Sequence, residues 1–403
     1  MNAPTMPPGD TALQRRFRLS ALIFAVALFG YPIVGNLVSM LQMDSRLLSI
    51  PYRIAVAGLC LWVLISTGRL VVDLWRFALL LVWTAFLLRL IYDGLIADIG
   101  GADYAIQIFL AGCVLPAMAL WKLDAYDARR FARLGLITAA FGCLMSLAGT
   151  LFGSFGESDL TEITGRLSTV ALNPVSLGHL AVSGLFCALV YWRHSDAARH
   201  LLLLVVIAMM LVVLVETGSK GPALSLMLGL TLWSLRRGAF IRLMLVAVPL
   251  AAVAILSGSN PLAERIAATD EDLSTLDRLF LIQDSLQQIV DYPWIGSAFV
   301  ELKSGFYAHN ILLEAAMSLG LPMTFVLVLV LLRGLAASWS LLSTEYDLIG
   351  LLFVQGISTS ILAGSMFGAT VMWVSLTMAL GAVQPRRQNP VTALPAPTDG
   401  VVA

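Results

Sequence analysis

Apolar runs close to the roughly twenty residues needed to cross a bilayer recur along the chain, separated by short charged or Gly/Pro-containing breaks. Their positions predict about twelve spans, near 19–41, 54–67, 74–91, 104–121, 131–152, 170–191, 201–217, 221–235, 239–257, 309–333, 346–363 and 366–383. Gly320-Leu321-Pro322 interrupts the run that begins at His309, so a short helix followed by a full span is an equal expectation there. Merging one neighbouring pair gives eleven spans. The expected fold is therefore all-α, a polytopic integral membrane protein. A different rhythm marks Asp277 to Gly296, where apolar residues at 279, 282, 286, 289 and 290 recur every three or four positions. This predicts an amphipathic helix stopped by Pro293, lying along the interface with its apolar side toward lipid or the bundle.

Composition sharpens the solvent argument. The 403 residues are 59% hydrophobic and 12% charged, against roughly 45–50% and about 25% in soluble domains. A soluble core cannot absorb so much apolar surface. Net charge is zero, so the global balance points to no nucleic acid or other polyanion. Cys60, Cys113, Cys143 and Cys187 all fall in apolar stretches without metal-type spacing, which predicts buried packing.

Charge placement sets the expected orientation. With the amino terminus in the cytoplasm, about 17 of the 25 Lys and Arg residues fall in cytoplasmic segments, as the retention of positive loops requires. Both termini are then cytoplasmic. The expected organisation is a cytoplasmic tail at 1–18, spans at 19–257, a periplasmic loop at 258–308, spans at 309–383 and a disordered Pro-rich tail at 384–403. Arg46, Arg53, Arg89, Arg166, Lys220, Arg265, Arg278 and Lys303 remain on or near the outer side and need individual explanations.

Several outer-side residues can carry chemistry. Arg278 sits near the amino-terminal end of the amphipathic helix, where the macrodipole favours anions, so a cation there makes sense beside an anionic ligand. His309 stands in Tyr307-Ala308-His309-Asn310, where a helix enters the membrane; of the four histidines, His309 and His179 are the two that can serve the outer face. Imidazole is the usual general base near neutral pH. The turn Glu216-Thr217-Gly218-Ser219-Lys220-Gly221-Pro222 can present Ser219 and the Lys220 ammonium to a phosphate, although it lacks Walker A spacing. Arg166 precedes Asn173-Pro174, which starts or bends the sixth span near the membrane surface. Topology brings Arg166, Lys220, Arg278 and His309 to one membrane face.

At these residues, over roughly 160–335, the sequence resembles the O-antigen ligase and polysaccharide polymerase superfamily of bacterial inner-membrane glycosyltransferases. The matching pieces are the Thr217-Gly-Ser-Lys-Gly turn, where the family commonly has Ser-Arg-Gly, the helix from Arg278 ending in Asp-Tyr-Pro-Trp-Ile-Gly, and His309-Asn310 followed by Leu313 and Gly320. Arg166 before Asn173-Pro174 also looks like the family's outer-face Arg. Lys220 departs from the pattern: it keeps the charge and loses the bidentate fork.

The resemblance implies a GT-C-like membrane fold and transfer of a glycan from a polyprenyl (undecaprenyl) diphosphate carrier to a sugar hydroxyl, on the periplasmic face, with no metal or cofactor. Arg166, Arg278, Lys220 and Ser219 would hold the diphosphate and stabilise the charge that builds on it. His309 is the candidate base, with Asn310 or Glu314 orienting it or the acceptor, or Glu314 itself acting as base. Partners implied are the lipid-linked donor, a glycan or lipid A core acceptor, and the bilayer. The compact outer loop tips the expectation slightly to a repeat-unit polymerase over a ligase. Other readings are a metal-dependent glycosyltransferase using Glu157 and Asp159, and a lipid-linked oligosaccharide flippase with Arg89 as its embedded charge.

Overall fold

The computed structural model describes residues 11–67, 72–122, 126–151, 167, 173–238 and 273–382, with backbone only at 11–15, 67, 151 and 273–277. Among the described residues the regular structure is entirely helical: α1 Thr11–Leu41, α2 Ser45–Thr67, α3 Leu74–Leu95, α4 Ala102–Ala119, α5 Ala128–Leu151, α6 Pro174–Trp192, α7 Ala197–Glu216, α8 Lys220–Arg237, α9 Leu273–Asp291, α10 Ile311–Leu341, α11 Asp347–Leu362 and α12 Thr370–Ala382. Eight of them, α1 to α7 and α10, are long and apolar enough to cross a membrane; α11 and α12 are shorter apolar helices. The chain is a polytopic α-helical membrane protein. Eleven of the predicted spans coincide with helices, whereas 239–257 lies outside the described residues, as does the tail at 384–403. The first helix starts at Thr11, ahead of the predicted boundary at 19.

Two ends of the bundle are defined by polar ties. At one, the Asp347 carboxylate at the start of α11 accepts from Arg193 after α6 and from Arg237 and Trp233 of α8, at 2.5, 3.0 and 3.0 Å. At the other, Asp93 of α3 accepts from the Phe299 amide at 2.8 Å and pairs with Arg89 at 3.0 Å. Arg89, the embedded-charge candidate, is thus neutralised by its own helix. The chain leaves the Asp347 end at Gly238 and is next described at Leu273, on the way to the opposite end.

The most enclosed of the eight candidate spans is α6, with 67% of its apolar window buried, against 22% for α2 and α7. It therefore sits inside the bundle while α2 and α7 present their sides to lipid. Polar bolts join α6 to α11: Gln355 donates to the His179 carbonyl at 2.8 Å, and the His179 Nδ1 meets Thr359 Oγ1 at 3.1 Å. His179 is therefore a packing residue between helices, which corrects its reading as a group able to serve the outer face. All four cysteines are buried and unpaired, as their apolar surroundings predict.

Candidate active site

The loop after α9 is built against a break in α10. Gly320 has φ +77, outside the helical region, and divides Ile311–Leu341 into a short helix and a longer one. In an unbroken helix the Leu321 amide would donate to the Met317 carbonyl. Here Leu321 donates instead to Pro293 O and Met317 O accepts from Ser297, both at 2.7 Å. Gln288 on α9 ties the loop further, donating to Ser297 Oγ at 2.7 Å and Val300 O at 3.1 Å and accepting from the Leu302 amide at 3.0 Å. The Asp-Tyr-Pro-Trp-Ile-Gly segment and Gly320 are thus two halves of one joint. It fixes α9, and with it Arg278, relative to the head of α10.

At that head, Asn310 caps α10: its side-chain oxygen accepts from the Leu312 and Leu313 amides at 3.0 and 3.2 Å. Its side-chain oxygen is thus engaged by the helix start. His309 itself has φ +53, a left-handed conformation uncommon for residues other than glycine, Asn, Asp and His. Its half-buried ring lies 4.3 Å from that of Tyr307. Burial is the main influence holding its pKa below the ordinary value; a hydrogen bond with the Ala363 backbone opposes this, and the nearby Arg278 charge adds to it. Nδ1 is buried without a hydrogen-bond partner.

Arg278 reaches the same place from α9. Its guanidinium lies 3.5 Å from the Leu362 carbonyl at the end of α11, where a helix carries partial negative charge. Arg278 and His309 therefore converge on Leu362–Ala363. Below them, the fully buried Glu314 accepts from the Met366 amide at 3.0 Å, while its other oxygen has no partner. Tyr307 packs on Phe367 with ring centres 5.6 Å apart. Its phenol is pushed above its usual pKa, chiefly by burial and then by Glu314.

The Ser219–Lys220 turn belongs to the same end. Helices α8 and α11 run antiparallel, pinned by Ser225 Oγ and Ser358 Oγ at 2.7 Å. Lys220 precedes that pin by five residues and Leu362 follows it by four, which at about 1.5 Å per residue places both about 6–8 Å beyond it. The Ser219 hydroxyl is buried and donates to the Thr217 carbonyl at 3.3 Å; as placed, it serves the turn. Arg166 lies outside the described residues. Its chain neighbour Leu167 is described, and the Leu167 amide donates to Glu216 O at 2.9 Å.

Comparison with known proteins bears on this end of the bundle. A model of the O-antigen ligase family matches residues 205–328, and a curated O-antigen ligase of Pseudomonas aeruginosa is 28% identical over 211 residues, 50% of each chain. The resemblance to the O-antigen ligase and polymerase superfamily holds. The chain spans about half the length of that relative. The matched stretch includes Ser219, Lys220, Arg278, His309, Asn310 and Glu314, together with both halves of the Gly320 joint. Two features of the site escaped the sequence: Tyr307, given no role in the motif beside His309, and the Ala363–Ala369 connection, which lies beyond the O-antigen ligase match.

Proposed function

We propose that this protein transfers a glycan from a polyprenyl diphosphate carrier to a sugar hydroxyl, using Arg278, Lys220 and Arg166 in place of a metal ion and His309 as base. The observation that carries the reading is the meeting of Arg278 and His309 at Leu362–Ala363, with the His309 Nδ1 buried and unpartnered. In the tautomer that carries its proton on the other ring nitrogen, Nδ1 offers a lone pair. That nitrogen takes the acceptor hydroxyl proton as the oxygen attacks the anomeric carbon. The bond from that carbon to the diphosphate breaks, and the electron pair leaves with the carrier. Charge grows on the leaving diphosphate, so cations fixed at that position favour the transition state over the ground state.

The His309 end is assigned to the periplasm. The Asp347 end carries Lys122, Arg129, Arg130, Arg193, Arg199, Arg236 and Arg237 on its connections and adjoining helix turns, the excess expected of cytoplasmic loops. For the acceptor, the description of both the family and the Pseudomonas relative as O-antigen ligase favours lipid A core over a growing repeat-unit chain.

The test is a purified full-length chain given a defined carrier-linked glycan and a core acceptor, with and without a chelator. Wild type forms product in both conditions and His309→Ala in neither. Loss of activity with the chelator removes the metal-free mechanism, and full activity of His309→Ala removes the base. Glycan profiles of a deletion strain separate the acceptors: long carrier-linked chains accumulate if a ligase is lost, and single repeat units on lipid A if a polymerase is lost.

A further inference from the structure

The outer-end cations other than Arg278 and Lys220 fall into distinct settings. Lys303 is paired with Asp284 at 2.5 Å and Arg89 with Asp93 at 3.0 Å. Arg53 is different. Its guanidinium lies over two tyrosine rings, 5.5 Å from the centre of Tyr31 on α1 and 5.1 Å from that of Tyr104 on α4. Its polar contacts are with the same two tyrosines: it lies 3.5 Å from the Tyr104 hydroxyl and hydrogen-bonds the Tyr31 side chain. Tyr104 is 48% exposed. Two aromatic rings on one guanidinium restrict its motion, and its five N–H donors exceed what two phenol oxygens can accept.

This cluster adjoins the candidate active site on a definite side. Arg278 lies within electrostatic reach of both His309 and Tyr307, and Tyr104 within reach of Tyr307. Tyr307 packs on His309 and Phe367. Phe367 in turn accepts at its carbonyl from Cys113 of α4 at 3.2 Å, so α4, the helix that carries Tyr104 against Arg53, flanks the His309–Tyr307 pair. Depth follows from α4: Cys113 lies nine residues after Tyr104 and farther into the bundle, in the π-helical stretch Phe109–Val114 of that span. Tyr104 thus stands toward the mouth and Phe367 toward the floor.

We propose that Tyr31, Arg53 and Tyr104 form a carbohydrate-binding subsite that holds a sugar ring of the acceptor. The inference rests on the glycan transfer proposed above. The diphosphate occupies the Arg278 side, the attacking hydroxyl must sit at His309, and the rest of the acceptor extends away from the diphosphate toward Tyr104. A pyranose ring has an apolar C–H face suited to an exposed phenol ring and hydroxyls suited to a guanidinium edge. The pairing of one aromatic platform with one donor fork meets both needs.

The experiment uses the full-length chain in nanodiscs of zwitterionic lipid and, as probe, deacylated lipid A core oligosaccharide. Binding is measured first without donor, then transfer kinetics with it. Tyr104→Ala and Arg53→Ala should each weaken oligosaccharide binding and raise the acceptor KM by about tenfold, with donor KM and kcat within about twofold of wild type. Tyr104→Phe, which keeps the ring, should bind the oligosaccharide as wild type does and shows that the fold survives change at this position. An unchanged acceptor KM and binding in both alanine variants, with transfer intact, overturns the subsite and leaves the transfer reaction standing. Oligosaccharide binding lost on Tyr104→Ala in a protein that transfers nothing supports the subsite and overturns the reaction. If Arg53→Ala instead abolishes an effect of added anionic lipid with oligosaccharide binding unmoved, the cluster is a lipid phosphate site and the proposal fails.

Discussion

Gly296 and Gly320 face each other across the joint between the outer loop and α10, each with positive φ and each against the other segment's backbone. A Cβ on Gly296 would collide with the Met317 carbonyl oxygen, and one on Gly320 with that of Trp294. Relief by side-chain rotation is impossible, because both obstacles are main chain.

Replacing either glycine with alanine should therefore separate the loop from the helix break. At Gly320, φ 77 with ψ 170 is a backbone region essentially reserved for glycine and costs about 1–3 kcal/mol for a residue with a Cβ, and the displaced backbone adds the two 2.7 Å hydrogen bonds of Ser297 and Leu321. Gly320→Ala is expected to lower the melting temperature in detergent and to lose transfer, while the protein still inserts. The control is Gly58→Ala, where a Cβ meets nothing within 4 Å; equal effects of the two would show that the joint carries no special load.

The His309 environment gives a pH dependence with a definite sign. The base must be neutral, and burial keeps its pKa below the ordinary 6.5. Transfer should accordingly remain level through neutral pH and fall only in acid, with the midpoint of kcat/KM below 6.5. Arg278→Gln removes a charge that disfavours imidazolium and should move that midpoint upward. His309→Ala should lower kcat by about 10²–10⁴-fold. A midpoint that does not move on Arg278→Gln would separate the two residues electrostatically.

Arg278 can also be weighed against a cation on the same end with no place in the site. Arg46 is exposed, and its amide contacts Asp44. Arg278→Ala should cost activity far more than Arg46→Ala, and Arg278→Lys should recover part of it as charge without the fork. Asn310→Ala should act through stability, at about 1 kcal/mol for a lost cap, visible as a lower melting temperature before any change in kcat.

The helices were legible because crossing a bilayer demands long apolar runs, and the Gly320-Leu321-Pro322 break was legible because Pro322 and a glycine cannot continue a helix unaided. Arg278 and His309 could be grouped from topology alone. The direction of a side chain could not: His179 shares the right end of α6 yet turns inward to Thr359, and Asn310 turns onto its own helix. The Ala363–Ala369 connection was invisible for a different reason. It contributes the Ala363 backbone and the Met366 amide, main-chain groups that every sequence supplies. Tyr307 was overlooked beside a histidine because its partner Phe367 comes from that same connection.

The opposite end of the bundle tests whether the site depends on a distant bolt. Asp347 is fully buried and joins α6, α8 and α11 through Arg193, Arg237 and Trp233. Removing one partner of a buried ion pair costs about 3–5 kcal/mol because the remaining charge is left uncompensated. Here the two arginine side chains are 31% and 25% exposed, so water and lipid phosphate relieve part of that penalty, and the loss should fall near the lower limit. Asp347→Ala loosens the α8–α11 contact at one end, and the Ser225–Ser358 pin, with the Arg237 bonds to the Leu342 and Thr344 carbonyls, then has to hold Lys220 level with Leu362. The expected result is a lower melting temperature and a reduced kcat with the pH midpoint of His309 unchanged, since no titrating group near the imidazole has moved. A shifted midpoint would mean instead that the ion cluster sets the electrostatics of the far end.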